Sequence, residues 1–188
     1  IGTTYRSGTR FGPQAIRRIS ALYGTYNYEL GVDLRESLKW CDLGDVFAIA
    51  NIEKGFDQIS KAVAHVRSNN VFPIMLGGDH SIGMGWISAV ARHCRERGRK
   101  LRVLWLDAHS DFNTAEISPS GNLHGMPVAC LCGFGPPELV AIGGERPSLR
   151  PEWLRLIGIR SVDDEEARFV YQQGLEVFDM RCIDEIGV

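Results

Sequence analysis

No stretch of the 188 residues is apolar for long enough to cross a bilayer, for which about 20 consecutive apolar residues are needed. Neither sign of charge is in excess. The 21 Lys and Arg against 23 Asp and Glu leave a formal net charge of −2. That balance gives no electrostatic case for nucleic acid or an anionic membrane as partner. There is no tandem His pair, no internal repeat, no linker and no low-complexity stretch. Cysteine is sparse. Cys41, Cys94, Cys130, Cys132 and Cys182 are odd in number and scattered, so they read as reduced thiols of a cytoplasmic protein and not as a disulfide framework. Cys130 and Cys132 form a lone C-x-C in an apolar, helix-like run, which reads as packing. What is left is an ordinary composition, 44% hydrophobic and 23% charged, sufficient for one α/β domain with a real core.

The chemistry gathers at the ends of two apolar runs. Residues 101–106 (LRVLWL) lead into Asp107-Ala108-His109-Ser110-Asp111. In an extended segment, side chains two apart share a face. Asp107, His109 and Asp111 are therefore expected to project to one side where a strand runs out. Carboxylates alone suit Mg²⁺ or Ca²⁺, and an added imidazole moves the preference toward Mn²⁺, Fe²⁺, Co²⁺ or Zn²⁺. No cysteine lies in the cluster, which argues against a structural zinc site. Residues 71–76 (VFPIML) lead into Gly77-Gly78-Asp79-His80-Ser81 by the same construction. The two glycines permit a tight exit and close backbone approach. An open parallel sheet places ligands outside the carboxyl ends of neighbouring strands, so His80 joins Asp107, His109 and Asp111 as a fourth candidate metal ligand.

The rest of the chain alternates strand and helix. Ile1 and Gly2 resemble the end of a strand, and a glycine-punctuated loop follows. Pro13 suits the first turn of a helix, with Ala15, Ile16, Ile19 and Leu22 at helical spacing. Residues 25–40 read as irregular, and 41–43 as a short strand. Asn51 is placed to cap an amphipathic helix reaching about Arg67, with Ile52, Phe56, Ile59, Val63 and Val66 on one face. A strand is expected at 71–76, a helix at 81–97, and a strand before Asp107. The Arg-rich end of the 81–97 helix reads as favourable charge at a helix C-terminus. The loop 112–122 is long for such a connection, and long loops beside strand ends often carry function. A short helix at 123–131, a strand at 153–159, a helix at 164–173 and a strand at 175–178 complete an α/β fold with a parallel sheet.

The Gly77–Ser81 and Asp107–Asp111 motifs, in this order, resemble the arginase/agmatinase family of ureohydrolases, and the resemblance extends from Gly2 to Gly187. It implies a three-layer αβα fold and a pair of manganese ions that serve hydrolysis of a guanidino group to urea. It implies that His80, Asp107 and Asp111 hold the first ion, and that Asp107 and His109 hold the second. Ser120-Gly121-Asn122-Leu123-His124-Gly125 resembles the arginase substrate loop. By that resemblance Asn113 and Ser120 would hold the substrate carboxylate and His124 would shuttle protons. Arg160-Ser161-Val162-Asp163 with Glu166 resembles the segment whose acidic residues, here Asp163 and Glu166, face the α-amino group.

Two departures bear on these expectations. The front of the chain, through Arg6-Ser7-Gly8-Thr9-Arg10-Phe11-Gly12-Pro13-Gln14-Ala15-Ile16-Arg17, looks like agmatinase and guanidino-acid hydrolases, whereas the sequence from about residue 84 looks like arginase. The family's later S-x-D-x-D-x-x-D-P segment has no counterpart. The expectation is therefore one ureohydrolase-like domain over 1–188, incomplete at both ends, that alone is a poor enzyme. Arginine is the expected small-molecule partner and agmatine the alternative, in a homo-oligomer. Another class of reading is an inactive fragment acting only in assembly. Zinc deacetylases share the broader fold, but they use a tandem His pair that this sequence lacks.

Overall fold

A computed structural model describes residues 8–46, 51–144 and 146–187. The expected strand end at Ile1 and Gly2 lies outside the described residues. The first helix, α1 (Gly12–Ser20), carries Pro13 in its first turn as anticipated. Residues 25–40, read as irregular, instead hold a small antiparallel hairpin, β1 (Tyr26–Asn27) with β2 (Val32–Asp33), and a single turn of helix, α2 (Leu34–Ser37). Asp33 ties hairpin to turn by accepting from Thr25 Oγ1 at 2.7 Å and Arg35 N at 2.8 Å. Residues 41–43 form no strand.

Helix α3 (Ile52–Ser68) begins where the sequence placed it, because the Asn51 side chain accepts from Lys54 N at 2.8 Å. Its apolar face buries Phe56 and Val63 against α4 (Gly83–Glu96). Gly85 permits this approach: a Cβ there would lie 2.5 Å from the Phe56 carbonyl oxygen and 3.0 Å from Ile59 Cβ.

The sheet holds three parallel strands in the order β3 (Val103–Leu106), β4 (Leu154–Ile159), β5 (Glu176–Asp179). Between β3 and β4 run α5 (Pro127–Leu131) and α6 (Pro137–Val140), and α7 (Asp164–Gln172) connects β4 to β5. A short α8 (Met180–Ile186), capped by Asp179 through Cys182 N at 2.7 Å, follows β5 directly. Trp105, Leu154 and Leu156 turn one sheet face inward onto Ala91 of α4, Val128 of α5 and Val170 of α7. Leu104 and Leu106 alternate to the other face and are 62% and 69% exposed.

The run 71–76 is a correction. It pairs with no strand among the described residues, and Phe72 and Ile74 are each 81% exposed. Its apolar content suits a strand, but a ladder needs a neighbour's backbone in register, and none is hydrogen-bonded to it here. Cys130 and Cys132 are buried and free. Burial pushes their thiols up to about 11 and about 12, which agrees with a packing role.

Candidate metal centre

The two segments that carry the candidate ligands meet at the carboxyl end of β3. The chain leaves 71–76 through Gly77 and Gly78. Asp79 then caps a turn of 3-10 helix, His80–Ile82, by accepting from Ser81 N at 3.1 Å and from the Ser81 hydroxyl. That turn runs straight into α4 and sets His80 over Trp105, with ring centroids 3.9 Å apart and planes inclined by 23°. Gly83 makes room for the stack, since a Cβ there would stand 3.1 Å from the indole.

On the other side, Asp107 N donates to Ile157 O at 3.1 Å, and Arg160 N and Ser161 N donate to Ala108 O at 2.8 and 3.0 Å. The end of β4 thus fixes the start of the ligand turn. Gly158, at φ 86 in a bulge of β4, lies against the Asp107 carbonyl, where an added Cβ would come within 3.3 Å.

His80, Asp107 and Asp111 converge, with ligand atoms within 4.8 Å of one another. His80 Nδ1 is 2.6 Å from Asp107 Oδ2 and 3.2 Å from Asp111 Oδ2. The second contact is off the line of a hydrogen bond, so among the described residues the buried Asp111 Oδ2 has an ion-pair neighbour but no hydrogen-bond partner. His109 stands aside. Its side chain is 59% exposed, and it meets the group only through Asp107, Nδ1 to Oδ1 at 3.2 Å. Strand alternation is not what gathers these side chains. The strand ends at Leu106, and Asp111 sits in a left-handed turn at φ 50.

The group sets two carboxylates against one imidazole. Burial pushes the Asp111 carboxyl up, and repulsion from Asp107 adds to this. Burial also disfavours the charged forms of His80 and Asp107. For His80 the Asp111 and Asp107 carboxylates outweigh it and raise the ring above its usual value. For Asp107 the His109 amide and His80 outweigh it and hold the carboxyl low. A divalent cation suits this donor set. It would give Asp111 Oδ2 a direct positive partner and relieve the repulsion between the two carboxylates.

The model of the arginase family matches residues 1–188. The chain belongs to the arginase family. It is 38% identical to the arginase of Bacillus caldovelox over its whole length, and spans 64% of that relative. The arginase structure from Bacillus cereus superposes with a TM-score of 0.85 at 34% identity, over 100% of this chain and 63% of that one. The Entamoeba histolytica arginase in complex with L-ornithine superposes at 0.77 and 26% identity, over 98% of this chain and 63% of that one. The α/β fold with its parallel sheet is the arginase fold.

The other expected arginase-family positions lie on the loop after Asp111 and at the start of α7. Asn113 is buried. Its Nδ2 donates to Asp163 Oδ2 at 3.3 Å, and its Oδ1 has no hydrogen-bond partner. Asp163 is exposed and, with Ile117, Pro119 and Val162, lines an open groove. Ser120 is exposed, its Oγ accepting from Asn122 N at 3.3 Å. His124 lies in a 3-10 turn, Leu123–Gly125, that packs on the turn carrying His80, and its Nδ1 is buried without a partner. Glu166 is buried. Its Oε1 accepts from Ser110 Oγ at 2.5 Å and Phe112 N at 2.8 Å. Sequence reasoning missed Trp105 as the platform for His80. Its place in the DAHSD-bearing strand was visible, its ring contact was not.

Proposed function

We propose that the protein hydrolyses the guanidino group of arginine to urea and ornithine at a manganese centre built on His80, Asp107, His109 and Asp111. The observation that carries the reading is the convergence of His80, Asp107 and Asp111 around a buried carboxylate oxygen with no hydrogen-bond partner. Manganese supplies Lewis acidity, which brings the pKa of water toward neutrality and stabilises charge on the attacked carbon's substituents. His80, Asp107 and Asp111 would hold one ion, and Asp107 with His109 would serve a second.

The substrate's α-carbon would lie along the groove by Asp163. Asn113 and Ser120 would take the carboxylate and Asp163 the ammonium, while Glu166 is buried with its Oε1 engaged by Ser110 and Phe112. The Asn113–Asp163 hydrogen bond keeps these two side chains adjacent, with Asp163 on the lining of the groove. Ornithine, bound by the Entamoeba relative, carries the same two groups. His124 would move protons through the Nδ1 that no protein group occupies.

The agmatinase-like residues Gly8–Arg17 favour a second reading, hydrolysis of agmatine or a guanidino acid. The test is urea release from arginine and from agmatine, alongside manganese binding followed by EPR of the free ion. Agmatine lacks the carboxylate, and a site built to hydrogen-bond a group rejects analogues lacking it. Arginine is therefore expected to turn over faster. Equal or faster release from agmatine moves the assignment to the second reading. Manganese binding with no urea from either overturns the hydrolytic reading.

A further inference from the structure

Glu166 is one of the few carboxylates in the interior, 3% exposed, and burial pushes its carboxyl up in spite of the Ser110 hydroxyl and the Phe112 and Asp163 amides. The Ser110 hydroxyl and the Phe112 amide both donate to Oε1. These two flank Asp111 on either side. Asp111 is one of two non-glycine residues with positive φ among the described residues. A side chain adopts that conformation only where its surroundings over-determine it. Here the surroundings are Glu166 on the two flanks and the start of α5 on the carbonyl, where Val128 N donates to Asp111 O at 3.0 Å. Phe169, three residues along α7, lays its ring 5.0 Å from that of Phe112. One helix thus clamps the turn with a carboxylate and an aromatic ring.

We propose that Glu166 is a positioning residue for the metal centre, holding the left-handed turn at Asp111 so that Oδ2 faces the space shared with His80 and Asp107. The inference rests on the metal reading above and differs from a direct contact with the substrate ammonium. A contact to the ammonium needs the negative charge. A clamp on Ser110 and Phe112 needs only an acceptor oxygen, which a glutamine also offers.

The test compares Glu166→Ala, Glu166→Gln and Val170→Ala in the 188-residue chain. Val170→Ala loosens the same helix from its core side and controls for general loss of stability. Three quantities are read: manganese affinity by EPR, hydrogen exchange at the Phe112 amide without metal, and the melting temperature in chelator. Glu166→Ala is expected to lower manganese affinity by about 10- to 100-fold, as loss of a group supporting a ligand does, and to speed exchange at Phe112. Glu166→Gln is expected to stay close to the wild type in both. Val170→Ala is expected to lower the melting temperature with little loss of affinity in the folded protein. An affinity loss in Glu166→Ala no greater than in Val170→Ala overturns the inference. So does weakened arginine binding in Glu166→Gln with manganese affinity intact, which would return Glu166 to the ammonium. Failure of the wild type to bind manganese overturns the metal reading and this inference together.

Discussion

His80 lies flat on Trp105, ring centroids 3.9 Å apart, so a ligand-type side chain rests on the floor of the hydrophobic core. Trp105 is 3% exposed and shares its cluster with Leu154 and Leu156. Its removal has two consequences of different kinds. Trp105→Ala is expected to cost about 3–5 kcal/mol of stability, as large-to-small changes in a core do. It is also expected to weaken manganese binding, because the imidazole loses the surface that fixes its plane. Trp105→Phe keeps a ring under His80 and is expected to recover most of the affinity while remaining less stable. Urea unfolding and EPR titration on the two variants check this. Equal affinity in both would show that the stack does not orient His80.

Much of this arrangement is legible in the chain, and the illegible parts have definite reasons. Asn51 and the spacing of Phe56 and Val63 place α3, and the apolar runs ending at Asp107 and Ile159 place β3 and β4. The two motifs single out His80, Asp107 and Asp111, which the fold gathers within 4.8 Å of one another. The same rules fail for 71–76 because an apolar run does not say whether a neighbour will offer its backbone. They fail at 26–33 because two-residue strands are too short for alternation to register. They fail for the shape of the ligand turn because its support, Glu166, lies 56 and 54 positions away from Ser110 and Phe112. No local pattern reports a contact at that separation.

Gly85 sets the distance between α3 and α4. Its missing Cβ would stand 2.5 Å from a backbone oxygen of α3, which cannot swing aside as a flexible side chain could. Gly85→Ala therefore forces the helices apart, and a cost of about 1–3 kcal/mol is expected for this overpacking. Since α4 carries His80 at its leading turn, manganese affinity is expected to fall as well. Thermal melts and metal titration measure the two effects. A stabilised variant would mean that the helix gains more from alanine than the packing loses.

The exposed Leu104 and Leu106 lie on β3, which is the edge of the three-stranded sheet. Unpaired edge backbone beside bulky apolar side chains templates association. The 188-residue chain is expected to self-associate as its concentration rises, and Leu104→Lys to reduce this with little effect on the melting temperature. Sedimentation velocity across a concentration series is the measurement. Identical sedimentation of the two proteins would exclude this face as the driving surface.

His93 gives a prediction about pH whose sign can be worked through. It is buried in α4, with Nδ1 3.0 Å from Arg97 Nη1 and Nε2 3.4 Å from Arg67 Nη2. Each guanidinium offers only donors, and a protonated ring has no lone pair for either. Burial first, then Arg97 and Arg67, therefore hold the ring's pKa below its ordinary 6.5. Arg99 works in the same direction, and Glu96 is the charge opposing them. The unfolded chain keeps the ordinary value. Between 6.5 and the lower folded value, the unfolded state binds more protons, and stability falls as pH drops. Above 6.5 the contribution is fully present. His93→Gln removes the titration whatever it does to packing. The variant's loss of stability between pH 8 and pH 5.5 is expected to be smaller than the wild type's, read as the shift in urea midpoint. The comparison isolates His93, because His80, raised by its carboxylates, titrates identically in both proteins. An unchanged pH dependence in the variant would mean that the ring is already solvated or that one guanidinium has turned away from it.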